Sequence, residues 1–243
     1  ELAGVRTEYS VELFKTNICD IFIIGNIDSD NIVTLIKKYY KHRYLNQNKL
    51  TLLVDNKEKK KITTSCDESS NIQANLVMIL NTNNLDDLER YIKFQVFNYI
   101  FGSGGLTSKL YKKIREENSL CYNISSMYLK YDQLLIIHVS LDNKNVKKAI
   151  TLAKRCLKEM VNGDFSEEDL KDAIKNINLA LDYTYDNNSS LLNNYVFNIF
   201  DSLPLIEDRK KELNKITKED VIKVAKKIKL NTIYVLNGKD IKQ

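Results

Sequence analysis

Histidine is nearly absent from this 243-residue sequence. His42 and His138 are the only two, and neither has a metal-ligating neighbour at helical spacing. His42 sits in a polar Lys-His-Arg segment of the exposed kind, and His138 lies in a strand-like run (134–141) as a packed or hydrogen-bonded residue. No Ser-His-Asp or Cys-His arrangement can be assembled from them, so no catalytic residue and no metal ligand is assigned to this chain. The four cysteines, Cys19, Cys66, Cys121 and Cys156, are far apart with no C-x-x-C. That excludes a disulfide framework and a structural zinc site, and suits a reducing cytoplasm. No apolar run approaches the ~20 residues that cross a bilayer, so a membrane partner is not expected. The chain begins Glu1-Leu2-Ala3, without a start methionine or signal pattern, and is expected to be a fragment of a longer polypeptide.

What is present describes a globular chain with 43% hydrophobic and 28% charged residues. The 37 basic and 32 acidic residues are dispersed, for a net charge of +5. The densest basic run, residues 57–61, reads as a solvated linker. A nucleic-acid surface needs a basic stripe interleaved with stacking aromatics, and none is encoded.

Taken in order, residues 9–15 look helical, and 20–25 (Asp-Ile-Phe-Ile-Ile-Gly) form a short apolar run of the buried-strand type. Residues 26–29 offer caps for a helix through Tyr40 with Ile32, Leu35, Ile36 and Tyr39 inward. Residues 73–80 read as a central strand, with Ala74, Leu76, Met78 and Leu80 on one face. Asn83-Asn84 caps a helix that turns Leu85, Leu88, Ile92, Val96, Tyr99 and Ile100 inward and ends at Gly102. Residues 120–129 and 134–141 form an antiparallel hairpin. A helix with Ile150, Ala153, Leu157 and Met160 inward closes at Gly163, and Ser166…Asp169 opens another. Asn187-Asn188 breaks that one, a helix over 191–200 follows, and the lone proline, Pro204, marks the next turn. Thr217…Asp220 caps a last helix, and residues 232–236 form a last strand. This order predicts an α+β fold: one mixed, mostly antiparallel sheet covered by helices.

Three of the seven glycines, Gly102, Gly104 and Gly105, fall within four residues. They follow a helix and are spaced G-x-G-G, which fits neither a phosphate loop nor the dinucleotide fingerprint. A short helix comes next, with Leu106, Leu110 and Ile114 on one face and Lys109, Lys112, Lys113 and Glu116 on the other. Arg115 stands at its end, and seven residues later Tyr122 lies in a strand. From spacing alone, Arg115 is a partner for the helix C-terminal dipole and Tyr122 an ordinary strand aromatic.

The same stretch resembles a motif of the pitrilysin family of zinc metallopeptidases, which includes insulin-degrading enzyme and the mitochondrial processing peptidases. The non-zinc half of those proteins carries a Gly-rich turn, a Ser-Arg/Lys-Leu helix and an Arg-x6-Tyr pair, matched here by Ser108-Lys109-Leu110 and Arg115…Tyr122. Ser119 stands where the family usually has Gly, and Cys121 where Ala is common. The resemblance implies that residues 1–45 are the tail of a preceding half, 46–61 a connector, and 62–243 the C-terminal, non-zinc half-domain.

The resemblance further implies that Arg115 and Tyr122 reach the backbone of a peptide substrate, with Gly102, Gly104 and Gly105 forming a substrate-guiding loop. Zinc would be supplied by a homologous zinc-binding half or partner subunit, whose H-x-x-E-H helix has no counterpart here. Alone, the chain should hydrolyse nothing. Two roles stay open: the substrate-binding and chamber-closing half of a working zinc peptidase, or a catalytically silent scaffold or partner subunit.

Overall fold

The computed structural model describes residues 20–40 and 61–239. The expected helix over 9–15 and almost all of the connector 46–61 lie outside them. The chain divides into two compact units: Glu1–Leu53 with Tyr183–Leu203, and Val54–Asp182 with Pro204–Gln243. Residues 183–203 thus group with the N-terminal part.

In the first unit, α1 (Ser29–Tyr39) starts where its cap directs, with Asp28 Oδ1 accepting from the Asp30 and Asn31 N–H groups. Of its expected inner face, Leu35 and Tyr39 are exposed and Ile32 and Ile36 half-buried. Residues 20–25 are not a strand. An apolar run becomes one only beside a partner that takes its N–H and C=O groups, and no described strand pairs with it. Phe22 instead meets Phe200, at the end of α6 (Asn188–Phe200), with ring centroids 6.3 Å apart.

The second unit is built on a five-stranded sheet in the order β1-β5-β2-β4-β3. Its strands are β1 (Thr63–Glu68), β2 (Ala74–Asn81), β3 (Cys121–Leu129), β4 (Leu134–Leu141) and β5 (Lys229–Asn237). Only the β1–β5 pair is parallel, so the sheet is mixed and mostly antiparallel, as expected. β2 lies at its centre, where Met78 stands opposite Ile137 on one side and Ile233 on the other. Period-2 alternation sends Ala74, Leu76, Met78 and Leu80, with Leu135, Ile137, Val139 and Leu141, into the core beneath the helices. The opposite face carries half-buried Asn75, Val77, Ile79, His138 and Ser140.

Against the core face lies α2, residues 89–103, in which an α-helical turn (Phe94–Asn98) is flanked by π-helical turns (Glu89–Lys93 and Tyr99–Ser103). Its start is set by Asp86 and Glu89 rather than by Asn83-Asn84. The Glu89 N–H donates to Asp86 Oδ1 at 2.8 Å, and the Asp86 N–H donates to Glu89 Oε2 at 3.0 Å. Each π turn adds a residue and rotates the helix face. Phe94, Phe97 and Phe101 are thereby turned fully inward and Leu88 is left exposed, which a uniform 3.6-residue period does not foresee. Burying each ring contributes about 1.5–3 kcal/mol.

The layer is completed by α3 (Tyr111–Glu116), α4 (Val146–Asn162), α5 (Glu167–Tyr183), α7 (Ile206–Leu213) and α8 (Lys218–Lys227). α4 buries Ala149, Ala153, Cys156 and Met160 and closes on Gly163 at φ +78°. α5 and α8 open on the Ser166–Asp169 and Thr217–Asp220 capping boxes. Two ion pairs fasten α8 to α2, Lys93–Asp220 at 2.8 Å and Lys227–Glu89 at 2.6 Å. Burial pushes the Asp220 carboxyl up, but the bonds from Lys93 and from the Thr217 N–H and hydroxyl bring it down to about 2.

Candidate functional site

The Gly-rich segment joins α2 to α3, and most of it serves packing. Gly102 is buried at the end of α2, where a Cβ would lie 2.5 Å from Ser126 Oγ and 2.8 Å from Leu110 Cδ1. Gly104, half-buried, passes so close to Tyr99 that a Cβ would meet its carbonyl oxygen at 2.6 Å. Gly105 is exposed and takes φ +59°, the left-handed conformation that glycine adopts without strain, at the start of a 3-10 turn (Gly105–Thr107). Leu106, expected on the inner face with Leu110 and Ile114, sits in this turn and is 64% exposed.

The three residues after the turn are also consumed structurally. The buried Ser108 hydroxyl donates to Gly105 O at 2.8 Å and accepts from the Tyr111 N–H, capping α3. Lys109 pairs with Glu159 of α4 at 3.1 Å, with both side chains about four-fifths buried. Leu110 is fully buried.

Arg115 and Tyr122 are placed differently. α3 ends in a tight turn in which the Ser119 N–H donates to Arg115 O and the Leu120 N–H to Ile114 O, each at 3.0 Å. The turn needs φ +50° at Ser119, a left-handed angle that accounts physically for a preference for Gly there. Arg115 is exposed. Its guanidinium lies 5.0 Å from the Tyr111 ring centroid and makes no salt bridge among the described residues. Tyr111, one turn before Arg115, was missed in the sequence, although its i,i+4 spacing is the available signal.

Across the turn, Cys121 pairs with Leu141 and Asn123 with Ser140, so Tyr122 is the extra residue of a β-bulge on the edge strand. It is 59% exposed, and its hydroxyl has no hydrogen-bond partner among the described residues. Burial pushes the Cys121 thiol up and the Arg115 guanidinium draws it back, so the Arg115 charge reaches the first residue of β3. The fold thus brings the two predicted side chains to one helix-to-strand junction, exposed and without a hydrogen-bond or salt-bridge partner among the described residues.

The donors among the described residues do not fit a metal. No group of three or more His, Cys, Asp or Glu side chains converges among the described residues. His138, the one described histidine, engages Asn75 Oδ1 at 3.2 Å through Nε2 on the sheet's open face, where Ser140 bonds the same oxygen. Nor is any described helix long and apolar enough to cross a membrane.

Comparison with known proteins places this arrangement. Residues 8–177 match the family model described as the peptidase M16 inactive domain. A probable inactive metalloprotease of Bacillus subtilis, YmfF, is 31% identical over 225 residues, covering 90% of this chain and 51% of its own. The chain therefore spans about half the length of that curated relative. A conserved protein from Enterococcus faecalis superposes with a TM-score of 0.86 at 22% identity, over 97% of this chain and 56% of its own. The peptidase M16 inactive domain from Pseudomonas fluorescens superposes with a TM-score of 0.68 at 17% identity, over 90% of this chain and 53% of its own.

Proposed function

This chain belongs to the peptidase M16 inactive-domain family, and from that premise we propose that it forms the substrate-side wall of a two-part chamber, with zinc held by a homologous half or partner subunit. The observation that carries this reading is the contrast within one motif. Gly102, Ser108, Lys109 and Leu110 are spent on packing, capping and an ion pair, whereas Arg115 and Tyr122 stand exposed with no hydrogen-bond or salt-bridge partner among the described residues. A pure scaffold needs neither.

The chemistry follows from the side chains. A guanidinium offers five fixed donors to the carbonyls of an extended peptide. A phenol hydroxyl can donate to the oxyanion that forms when a carbonyl is attacked. The Tyr111 ring, 5.0 Å from the guanidinium, holds Arg115 by a cation–π contact that uses none of its N–H donors in a hydrogen bond.

The test is Arg115→Ala with Tyr122→Phe in the full polypeptide assembled with its zinc-bearing half. Both positions are exposed, so folding is expected to stand. Loss of one such donor typically raises a barrier by about 3 kcal/mol, so kcat/KM for a peptide substrate should fall on the order of a hundredfold. Unchanged cleavage kinetics in the assembled enzyme would refute the assignment.

A second reading, a silent partner subunit, is favoured by the description of the Bacillus subtilis relative as a probable inactive metalloprotease. It requires the natural full-length polypeptide to carry no stoichiometric zinc, and the double substitution to leave partner association unchanged. About one zinc per polypeptide would remove it.

A further inference from the structure

We propose that the groove between α4 and α8 docks an acidic amphipathic segment of a partner protein. The groove is about 400 Å³, and its floor is apolar: Leu157, Val161, Ala225 and Ile228. Its rim is four lysines, Lys154 and Lys158 from α4 with Lys226 and Lys229 from the end of α8 and the start of β5. Lys154, Leu157, Lys158 and Val161 follow i, i+3, i+4, i+7 spacing, so floor and rim run side by side along two turns of α4.

The charge arrangement identifies the occupant. No acidic residue lines the groove, and none of its four lysines makes a salt bridge among the described residues. Three acids on or beside the adjoining elements are paired elsewhere: Glu159 with Lys109, Asp220 with Lys93, and Glu89 with Lys227. Four of the chain's 37 basic residues therefore converge on one groove with no counter-charge among the described residues. An apolar ligand alone would desolvate the ammonium groups, and a polyanion alone would leave the floor wet. A segment with apolar residues on one stripe and carboxylates beside it satisfies both. The lining has no aromatic or arginine on which a base could stack, which disfavours nucleic acid. The apolar residues form a recessed floor rather than projecting, which disfavours a bilayer surface.

The probe is a fluorescein-labelled helical peptide of about 14 residues, with Leu at i, i+3, i+4 and i+7 and Glu at the flanking positions. It is titrated against the full chain by anisotropy. Saturable micromolar binding is expected, weakening on the order of tenfold between about 50 and 300 mM salt. Lys154→Glu with Lys158→Glu should weaken it on the order of tenfold or more, with the thermal melt unchanged because both side chains are exposed. Replacing the peptide's Leu residues by Ser should abolish binding, which tests the floor without altering the protein. The proposal is overturned by no binding at millimolar peptide, by equal binding of a Lys-for-Glu peptide, or by a charge-reversed protein that binds as before. It is equally overturned if phosphatidylserine vesicles or a single-stranded oligonucleotide bind this groove more tightly than the peptide does.

Discussion

Replacing Gly102 with alanine separates local propensity from packing, because the two predict opposite signs. In a helix interior, exchange of Gly for Ala ordinarily stabilises by about 0.5–1 kcal/mol. Here the added Cβ would lie 2.5 Å from Ser126 Oγ and 2.8 Å from both Ser126 Cβ and Leu110 Cδ1. Ser126 has little freedom to retreat. Its hydroxyl donates to Asn98 Oδ1 at 2.6 Å in a buried setting, and its backbone is registered opposite Ile137. Overpacking of this kind costs about 1–3 kcal/mol. If the serine rotates away, the lost buried hydrogen bond costs about the same. Gly102→Ala is therefore expected to destabilise by about 1 kcal/mol net of the helical gain. Urea denaturation followed by circular dichroism should show a lower midpoint at unchanged slope. Adding Ser126→Gly makes room for the methyl group, and the double-mutant cycle should show a coupling of about 1 kcal/mol or more. A midpoint raised by Gly102→Ala alone would refute the reasoning.

Three other outcomes are expected. Gly163→Ala forces a side chain into φ +78° and places its Cβ 2.7 Å from Ile222 Cδ1, so it should destabilise by at least about 1–2 kcal/mol; adding Ile222→Ala should recover only the part due to contact, as read from urea midpoints. The Asp220 carboxyl is held at about 2 against an ordinary 3.8, so its contribution is fully present above pH 3.8 and disappears as pH falls through 2. That contribution is about 2 kcal/mol, and Lys93→Met should move the acid-unfolding midpoint to higher pH, with an unmoved midpoint counting against it. The Cys156 thiol is pushed up to about 12 by burial and by the Glu159 carboxylate. Iodoacetamide at about pH 8 should therefore modify exposed Cys66 first and reach Cys156 only as the chain unfolds, as followed by peptide mass spectrometry.

Much of what near neighbours decide was legible in the sequence. The alternation of β2, the hairpin of β3 and β4, the boxes at Ser166 and Thr217 and the stop at Gly163 depend on residues within a few positions of one another. The Ser108-Lys109-Leu110 and Arg115…Tyr122 spacings were legible in the same way, and they carried the family resemblance. Tertiary structure decided the rest. β1 is exposed along its whole length with no apolar periodicity, and is a strand because β5 lies beside it. α7, unannounced in the sequence, buries Ile206 and Leu213 against elements distant in the chain. The π turns of α2 bring three phenylalanines to the core because the sheet rewards that rotation, which no helical period encodes.

At the candidate site, spacing named the residues but could not apportion their roles. Lys109 and Arg115 are both cations on one short helix. Glu159, fifty residues away, is what commits the first to structure, and the absence of any such partner among the described residues is what leaves the second free. Tyr122 faces solvent because β4 offers one fewer residue than β3 across the bulge, a mismatch that exists only once the two strands are paired.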